Sequence, residues 1–424
     1  MQQPEIREIE KIEIALPVRS VMSNGVKLNV INAGEQEVVR MDIIFEAGKW
    51  RQMQNLQALF ANRMLREGTN IYTSAQISEK LDFYGAWLEL STTMEYAYIT
   101  LHSLNKYFPH TLAVIESLIK EPTFPEKELT TVVDTNRQQF LINSEKVDYI
   151  AQKNLMQSIF GANHPCGKYA ELGDYSKINT EILKDFYARY YHSDNCSIYL
   201  SGKVTNEIIR LVEDAFGTTP FGNPSHAISF ETYPMERTKL KRIFIEKEDA
   251  MQSSIKLGAE MINRSHPDHL KMRVLLTLFG GYFGSRLMSN IREDKGYTYG
   301  ISSGIAFYPQ AGIFMVSTEA DNEYVEPIIK EVYHEMDRLQ NELIPEQELT
   351  MVKNYMLGET CRDYESPFSI AEAWIFIQTS HLKDDYYQHA LEAIRSVNVN
   401  ELRELACKHL SKEQLIEVVA GKKI

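Results

Sequence analysis

The stretch Pro125-Glu126-Lys127-Glu128-Leu129-Thr130 returns as Pro345-Glu346-Gln347-Glu348-Leu349-Thr350, with one substitution, Lys127 to Gln347. The copy extends outward from it. Ile178–Phe186 (INTEILKDF) pairs with Val397–Leu405 (VNVNELREL), and Ser197–Lys203 (SIYLSGK) pairs with Ile416–Lys422 (IEVVAGK), in almost the same frame. Three matches in one order and nearly one frame identify a duplicated fold. The expected division is a first half at 1–220, a linker at 221–240 and a second half at 241–424. The linker stretch is rich in Gly, Pro, Ser and Thr without sustained periodicity, the composition of an extended connection. A binding surface is expected between the halves.

Each half alternates strand and helix signals. Val38–Ala47 and Tyr96–Leu104 read as strands by β-branched and aromatic content and partial alternation, as do Ile255–Glu260 and Gly312–Thr318. Leu56, Leu59, Phe60 and Met64 form the stripe of a core-facing helix. Pro125 followed by Glu126 and Glu128 marks a helix start, with acids where the helix dipole favours them. Helices are also expected over Leu270–Phe279, Val325–Leu339 and Pro345–Arg362. The fold class is therefore α+β, with each half a mainly antiparallel sheet covered on one face by helices.

Composition narrows the function. The chain has 424 residues, 44% hydrophobic and 24% charged, as a globular protein does. Its 45 Lys and Arg against 58 Asp and Glu give a net charge of −13, which argues against nonspecific binding to nucleic acid or anionic lipid. The four cysteines, Cys166, Cys196, Cys361 and Cys407, are far apart and form neither a zinc ribbon nor a disulfide framework. They read as buried thiols in a reducing compartment. The first residues are acidic where a signal peptide needs a basic patch and an apolar run, and no stretch reaches the length of a membrane span. The expected location is cytoplasmic, or periplasmic if a leader has been removed.

The most informative run is LFGGYFGSRLMSNIREDKGYTYG, Leu278–Gly300, in which a helix narrows into glycines and Ser285-Arg286-Leu287 opens another that ends at Gly296. This resembles the second-half signature of the M16 peptidase family, whose members include insulin-degrading enzyme, pitrilysin and the mitochondrial processing peptidase. The resemblance extends to Glu67-Gly68-Thr69, Gly85-Ala86, His164-Pro165 and Gln252-Ser253. It implies two homologous α+β halves in a clamshell, matching the repeat. It also implies that Arg292 and Tyr299 hold a substrate backbone, because a guanidinium fork and a phenol can donate to a peptide carbonyl.

By the same resemblance the first half should carry H-x-x-E-H, two His on one helical face for Zn²⁺ and a Glu as base, with a distal carboxylate. The aligned positions are Leu59-Phe60-Ala61-Asn62-Arg63, and the family's usual separation puts the distal position near Gln139. Leu59 has no lone pair, Asn62 is no base near neutral pH, Arg63 is a fixed cation, and Gln139 is no carboxylate. Glu89-Leu90 also stands where family members often show Asn-Ala, so strand-addition binding is not implied there. The first half reads as metal-free, with Arg63 replacing the ion's charge.

His266 and His269 form the only close His pair; the Pro-Asp between them reads as a helix cap, giving them a structural or solvent-facing role. No G-x-S-x-G elbow or phosphate loop occurs. The expectation is a catalytically incomplete M16-like subunit, inactive alone and binding no cofactor itself. It would help bind and orient a peptide for a zinc-bearing homologue in a heterodimer. The alternatives are a noncatalytic peptide-binding or structural homodimer and an active zinc endopeptidase.

Overall fold

Along Val38–Phe45 the side chains of Val39, Met41, Ile43 and Phe45 are fully buried, while Arg40 and Asp42 point to the opposite face and bond each other. One apolar face and one polar face is the pattern that the fold repeats. The computed structural model describes residues 12, 14–223 and 231–423.

The first repeat runs β1 (Val18–Val21), β2 (Lys27–Asn32), β3 (Val38–Phe45), α1 (Gln57–Arg63), α2 (Ser74–Phe83), β4 (Trp87–Thr92) and β5 (Ala97–Leu104). It continues with α3 (Phe108–Lys120), α4 (Glu126–Ser144), α5 (Val147–Phe160), α6 (Leu172–Tyr175), α7 (Thr180–Tyr190), β6 (Cys196–Gly202) and α8 (Asn206–Phe216). The second has β7 (Arg242–Glu246), β8 (Gln252–Met261), α9 (His269–Leu276), β9 (Thr298–Phe307), β10 (Gly312–Asp321) and α10 (Val325–Asn341). It closes with α11 (Glu346–Asp363), α12 (Pro367–Thr379), α13 (Tyr386–Ser396), α14 (Val399–His409) and β11 (Ile416–Gly421).

The strands form two mixed, mainly antiparallel sheets, in the orders β1-β2-β6-β3-β5-β4 and β7-β11-β8-β10-β9. The single parallel pairing in each joins β2 to β6 and β7 to β11. Edge strands β4 and β9 close the far ends.

The compact units do not follow the linear division 1–220, 221–240, 241–424. The first comprises Met1–Gln139, Ala170–Phe230 and Cys361–His381, and the second Phe140–Tyr169, Glu231–Thr360 and Leu382–Ile424. Each repeat therefore gives a helix to the other's unit: α5 packs on β8 and β11, and α12 on β2 and β6. The two exchanged helices start at Val147 and Pro367, in the same frame as the Pro125 and Pro345 copies.

This exchange covers a second face of each sheet, where helices on one face alone are expected. In the first unit the polar faces of β3 and β6 meet α12: Arg40 Nη1 donates to Glu372 at 2.5 Å, and Tyr199 Oη to Gln378 at 2.8 Å. In the second, buried Lys256 of β8 reaches Asp148 of α5 at 2.6 Å, and Gly258 lacks a side chain where a Cβ would lie 2.9 Å from Leu155. The opposite face of that sheet carries Glu417, which accepts from Tyr333 of α10 at 2.6 Å. A strand covered on both sides buries every residue, as β6 and β11 do.

Residues 231–240 of the expected linker hold no regular element and run beside α5, with Glu236 N bonded to Phe160 O and Thr238 N to Ser158 O. Residues 224–230 of the expected linker lie outside the described residues. Among the described residues no helix is long and apolar enough to cross a membrane.

Candidate functional site

In the first unit, α1 begins after Leu56, whose φ of +72° turns the chain sharply into the helix. Gln57 Nε2 ties it to Ile182 O on α7 at 2.8 Å. Of the expected stripe Phe60 and Met64 are fully buried and Leu56 and Leu59 half-buried; Leu59 and the equally half-buried Arg63 share the helical side that an i, i+4 ligand pair would use.

Asn62 is 1% exposed and fully engaged. Its amide donates to Ser91 O on β4 at 2.8 Å and to Tyr98 O on β5 at 3.3 Å, and its carbonyl accepts from Tyr191 Oη at 3.3 Å. A carboxylate could not make the two donations, so this side chain clips a helix to an edge strand. Burial pushes the Tyr191 phenol far up, leaving it a neutral donor. Arg63 makes no hydrogen bond or ion pair among the described residues. Gln139, on α4, is exposed and bonds to none of Leu59, Asn62 or Arg63. The downstream Glu67-Gly68-Thr69 is a structural turn: Thr69 Oγ1 accepts from Tyr72 N at 2.9 Å, and Glu67 accepts from Ser74 Oγ at 2.7 Å.

In the second unit the glycine-bounded segment is unusually wound. Thr277–Gly281 and Met288–Asp294 are π-helical, a widened winding that recurs at functional sites. Arg292 lies on the latter. The segment stops at Gly296, with φ of +66°, where Tyr297 N reaches back to Ile291 O at 3.0 Å and Gly296 N to Arg292 O at 3.1 Å. Only glycine adopts that left-handed turn at little cost.

Two polar anchors hold this segment. Arg286, at its start, forks onto Glu348 of α11 through Nε (2.8 Å) and Nη2 (3.0 Å). Asn290 donates to Glu335 at 2.7 Å and to Glu331 at 3.1 Å, both on α10, and accepts from Lys295 Nζ at 2.8 Å. Burial alone would raise the Glu331 carboxyl, but hydrogen bonds from Asn290 and Lys295 bring it below its ordinary value.

The anchored segment sets Arg292, half-buried, beside two exposed rings. Its guanidinium carbon lies 4.5 Å from the Phe283 ring centre and 5.6 Å from that of Tyr299. Tyr299 is 91% exposed and Phe283 61%. Arg292 pairs with neither Glu293 nor Asp294 among the described residues, and its half-buried guanidinium lies against the two rings. Chemically the group can donate to carbonyl or carboxylate oxygens. The structure thus brings Arg292 and Tyr299 together. Sequence reasoning missed Phe283, although it sits inside the quoted run between two glycines.

The pair His266 and His269 separates. His269 is buried against Phe307 and Tyr386, and burial first, then the charges of Arg273 and Arg264, lower its pKa to about 4. Asp268 occupies the N-cap position of α9 but its side chain makes no capping bond. It accepts instead from His409 at 2.7 Å and Lys408 at 2.6 Å.

Comparison with known proteins agrees with this architecture. Residues 30–167 match the model described as Insulinase (Peptidase family M16), and 177–356 the one described as Peptidase M16 inactive domain. An uncharacterized zinc protease, YmxG of Bacillus subtilis, is 24% identical over 82% of this chain and 84% of its own. A non-peptidase homolog YmxG of Helicobacter pylori is 25% identical over 87% and 85%. Among solved structures, a peptidase M16 inactive domain from Pseudomonas fluorescens superposes with a TM-score of 0.87 at 24% identity, covering 97% of this chain and 98% of that one. A protease from Helicobacter pylori gives 0.85 at 14% identity, covering 96% and 100%.

Proposed function

Because the chain belongs to the M16 peptidase family, we propose that it is a catalytically incomplete member that binds and orients peptide for a zinc-bearing homologue. It binds no catalytic zinc itself. One observation carries this reading: the metal positions are filled by Leu59, Asn62 and Arg63, while Arg292 and Tyr299 stay together. Asn62 is committed to two backbone carbonyls, so the position of the base is occupied by a structural clip. Arg292 supplies a fork for a peptide carbonyl and Tyr299 a phenol beside it. The relative named a non-peptidase homolog supports the first part, since it shares most of this chain's length.

The test mixes the purified chain with an H-x-x-E-H homologue and a quenched peptide. Cleavage should appear in the mixture alone, be abolished by chelator, and fall at least about tenfold with Arg292→Ala, the loss of a charge-assisted hydrogen bond. Chelator-sensitive cleavage by this chain alone overturns the reading. An unchanged mixture with Arg292→Ala removes the orienting role. Peptide binding by a homodimer without any cleavage would favour the noncatalytic alternative.

A further inference from the structure

Asp268 stands between two imidazoles that are remote from each other in the sequence, His266 and His409. One ligand atom from each of the three lies within 4.8 Å of the others, and no other such trio occurs among the described residues. The His266 and His409 rings are 5.5 Å apart and nearly perpendicular, at 87°. Asp268 Oδ2 is 2.7 Å from His409 Nε2 and 3.9 Å from His266 Nδ1. His266 Nδ1 accepts the backbone N–H of Asp268 at 3.1 Å, a bond that the imidazole exchanges for the ion when it ligates through this nitrogen.

The backbone fixes the arrangement from two helices. Asp268 stands immediately before α9, and His409 ends α14, where the helix dipole favours a positive charge. The trio is partly buried, with side-chain exposures of 33% for His266, 24% for Asp268 and 10% for His409. A cation already sits on the carboxylate: the Lys408 ammonium, at 2.6 Å, on a side chain 61% exposed and therefore easily displaced.

We propose that His266, Asp268 and His409 form a binding site for a divalent cation of the zinc class, clasping α9 to α14. Two imidazoles and a carboxylate suit zinc or nickel over calcium or magnesium, which prefer all-oxygen sites. Zinc bonds of about 2.0–2.1 Å need ligand atoms about 3.3 Å apart, so the side chains draw together modestly as Lys408 swings away. This site stands independently of the peptide-binding reading, since none of its residues belongs to the Arg292 segment.

The experiment titrates the chelator-treated full chain with Zn²⁺ against a chromophoric chelator, with Co²⁺ absorption as a second readout. The expected result is one equivalent bound, a raised melting temperature, and tenfold or greater weakening by His266→Ala and by His409→Ala. Lys408→Met, which removes the competing cation, should tighten binding. If either alanine variant misfolds by circular dichroism, His266→Gln on the more exposed ring takes its place. Less than one equivalent bound, or binding indifferent to the histidine substitutions, overturns the proposal. Weakening by Lys408→Met would equally overturn it, because the lysine would then be supporting the ion rather than competing with it.

Discussion

Each unit packs a helix against its edge strand: α1 against β4 in the first, and the Thr277–Gly281 continuation of α9 against β9 in the second. Phe60 and Phe279 are both fully buried, so the hydrophobic anchor is common to the two. The contact with the edge strand is not. In the first unit Asn62 spans the gap with an amide bonded to Ser91 O of β4. In the second, a Cβ at Gly280 would lie 2.5 Å from Ser303 Oγ of β9, so helix and strand meet with no side chain between them. The two units thus join helix to edge strand in two ways, by a polar clip or by close approach. By the family resemblance, the clip stands where a peptidase of this family would keep its base. The close approach leaves the chemistry to a later turn of the chain, where Arg292 lies against two exposed rings.

The sharpest way to break this contrast is Asn62→Asp, which sets a carboxylate against two carbonyl oxygens. It should cost at least about 3 kcal/mol, as a buried uncompensated charge does, and more than Asn62→Ala at about 1–3 kcal/mol. Urea denaturation of the two variants decides it; an aspartate no worse than alanine would show that Asn62 is no clip.

Acid separates the units along another axis. In the second unit His269 titrates near 4 when folded against about 6.5 when unfolded. Between those values the unfolded chain binds the extra proton, so stability is full above pH 6.5 and falls as pH drops toward 4, by about 3 kcal/mol in all. In the first unit burial would raise Asp174, but hydrogen bonds from Asn55, the Glu171 backbone and Lys177 bring it to about 2. Its contribution is present above pH 3.8 and lost only as pH falls toward 2. Melting curves from pH 7 to 3 should therefore show the second unit weakening first, and His269→Gln should flatten the loss between 6.5 and 4.

Gly280→Ala tests the close approach directly. Overpacking against Ser303 and Leu287 should cost about 1–3 kcal/mol in thermal unfolding. A neutral result would mean that the helix and β9 leave room for a side chain between them and that the close approach is not what joins them. Smallest in stability is Arg292→Ala, expected within about 0.5 kcal/mol because the half-buried side chain lies against two exposed rings and forms no ion pair among the described residues. A large destabilisation there would recast Arg292 as a structural residue.

Much of the fold was legible because periodicity and duplication are local signals. Val38–Ala47 became β3 at Val38–Phe45, Pro345–Arg362 became α11 at Glu346–Asp363, and Gly312–Thr318 grew only to Asp321. The helix expected over Leu270–Phe279 became α9 followed by π-helical Thr277–Gly281, which packs against β9, a contact that residue spacing does not show. At the site, the residue types at the positions aligned with H-x-x-E-H, Leu59, Asn62 and Arg63, were readable from the sequence alone. The true role of Asp268, read as a cap, was not, because its partners Lys408 and His409 are remote in sequence.

Sequence alone determined the two-fold repeat, the family resemblance and the absence of zinc-binding side chains at Leu59, Asn62 and Arg63, because each depends only on which residue stands at which spacing. Only the tertiary structure decided that α5 and α12 change places between units, that Asn62 is spent on two carbonyls, and that Phe283 joins Arg292 and Tyr299. Those are matters of which surfaces meet. A helix such as α5 carries apolar and polar residues that suit either sheet, and the sheet it covers is settled by fit, Leu155 over the bare Gly258 and Asp148 on Lys256, between partners far apart along the chain.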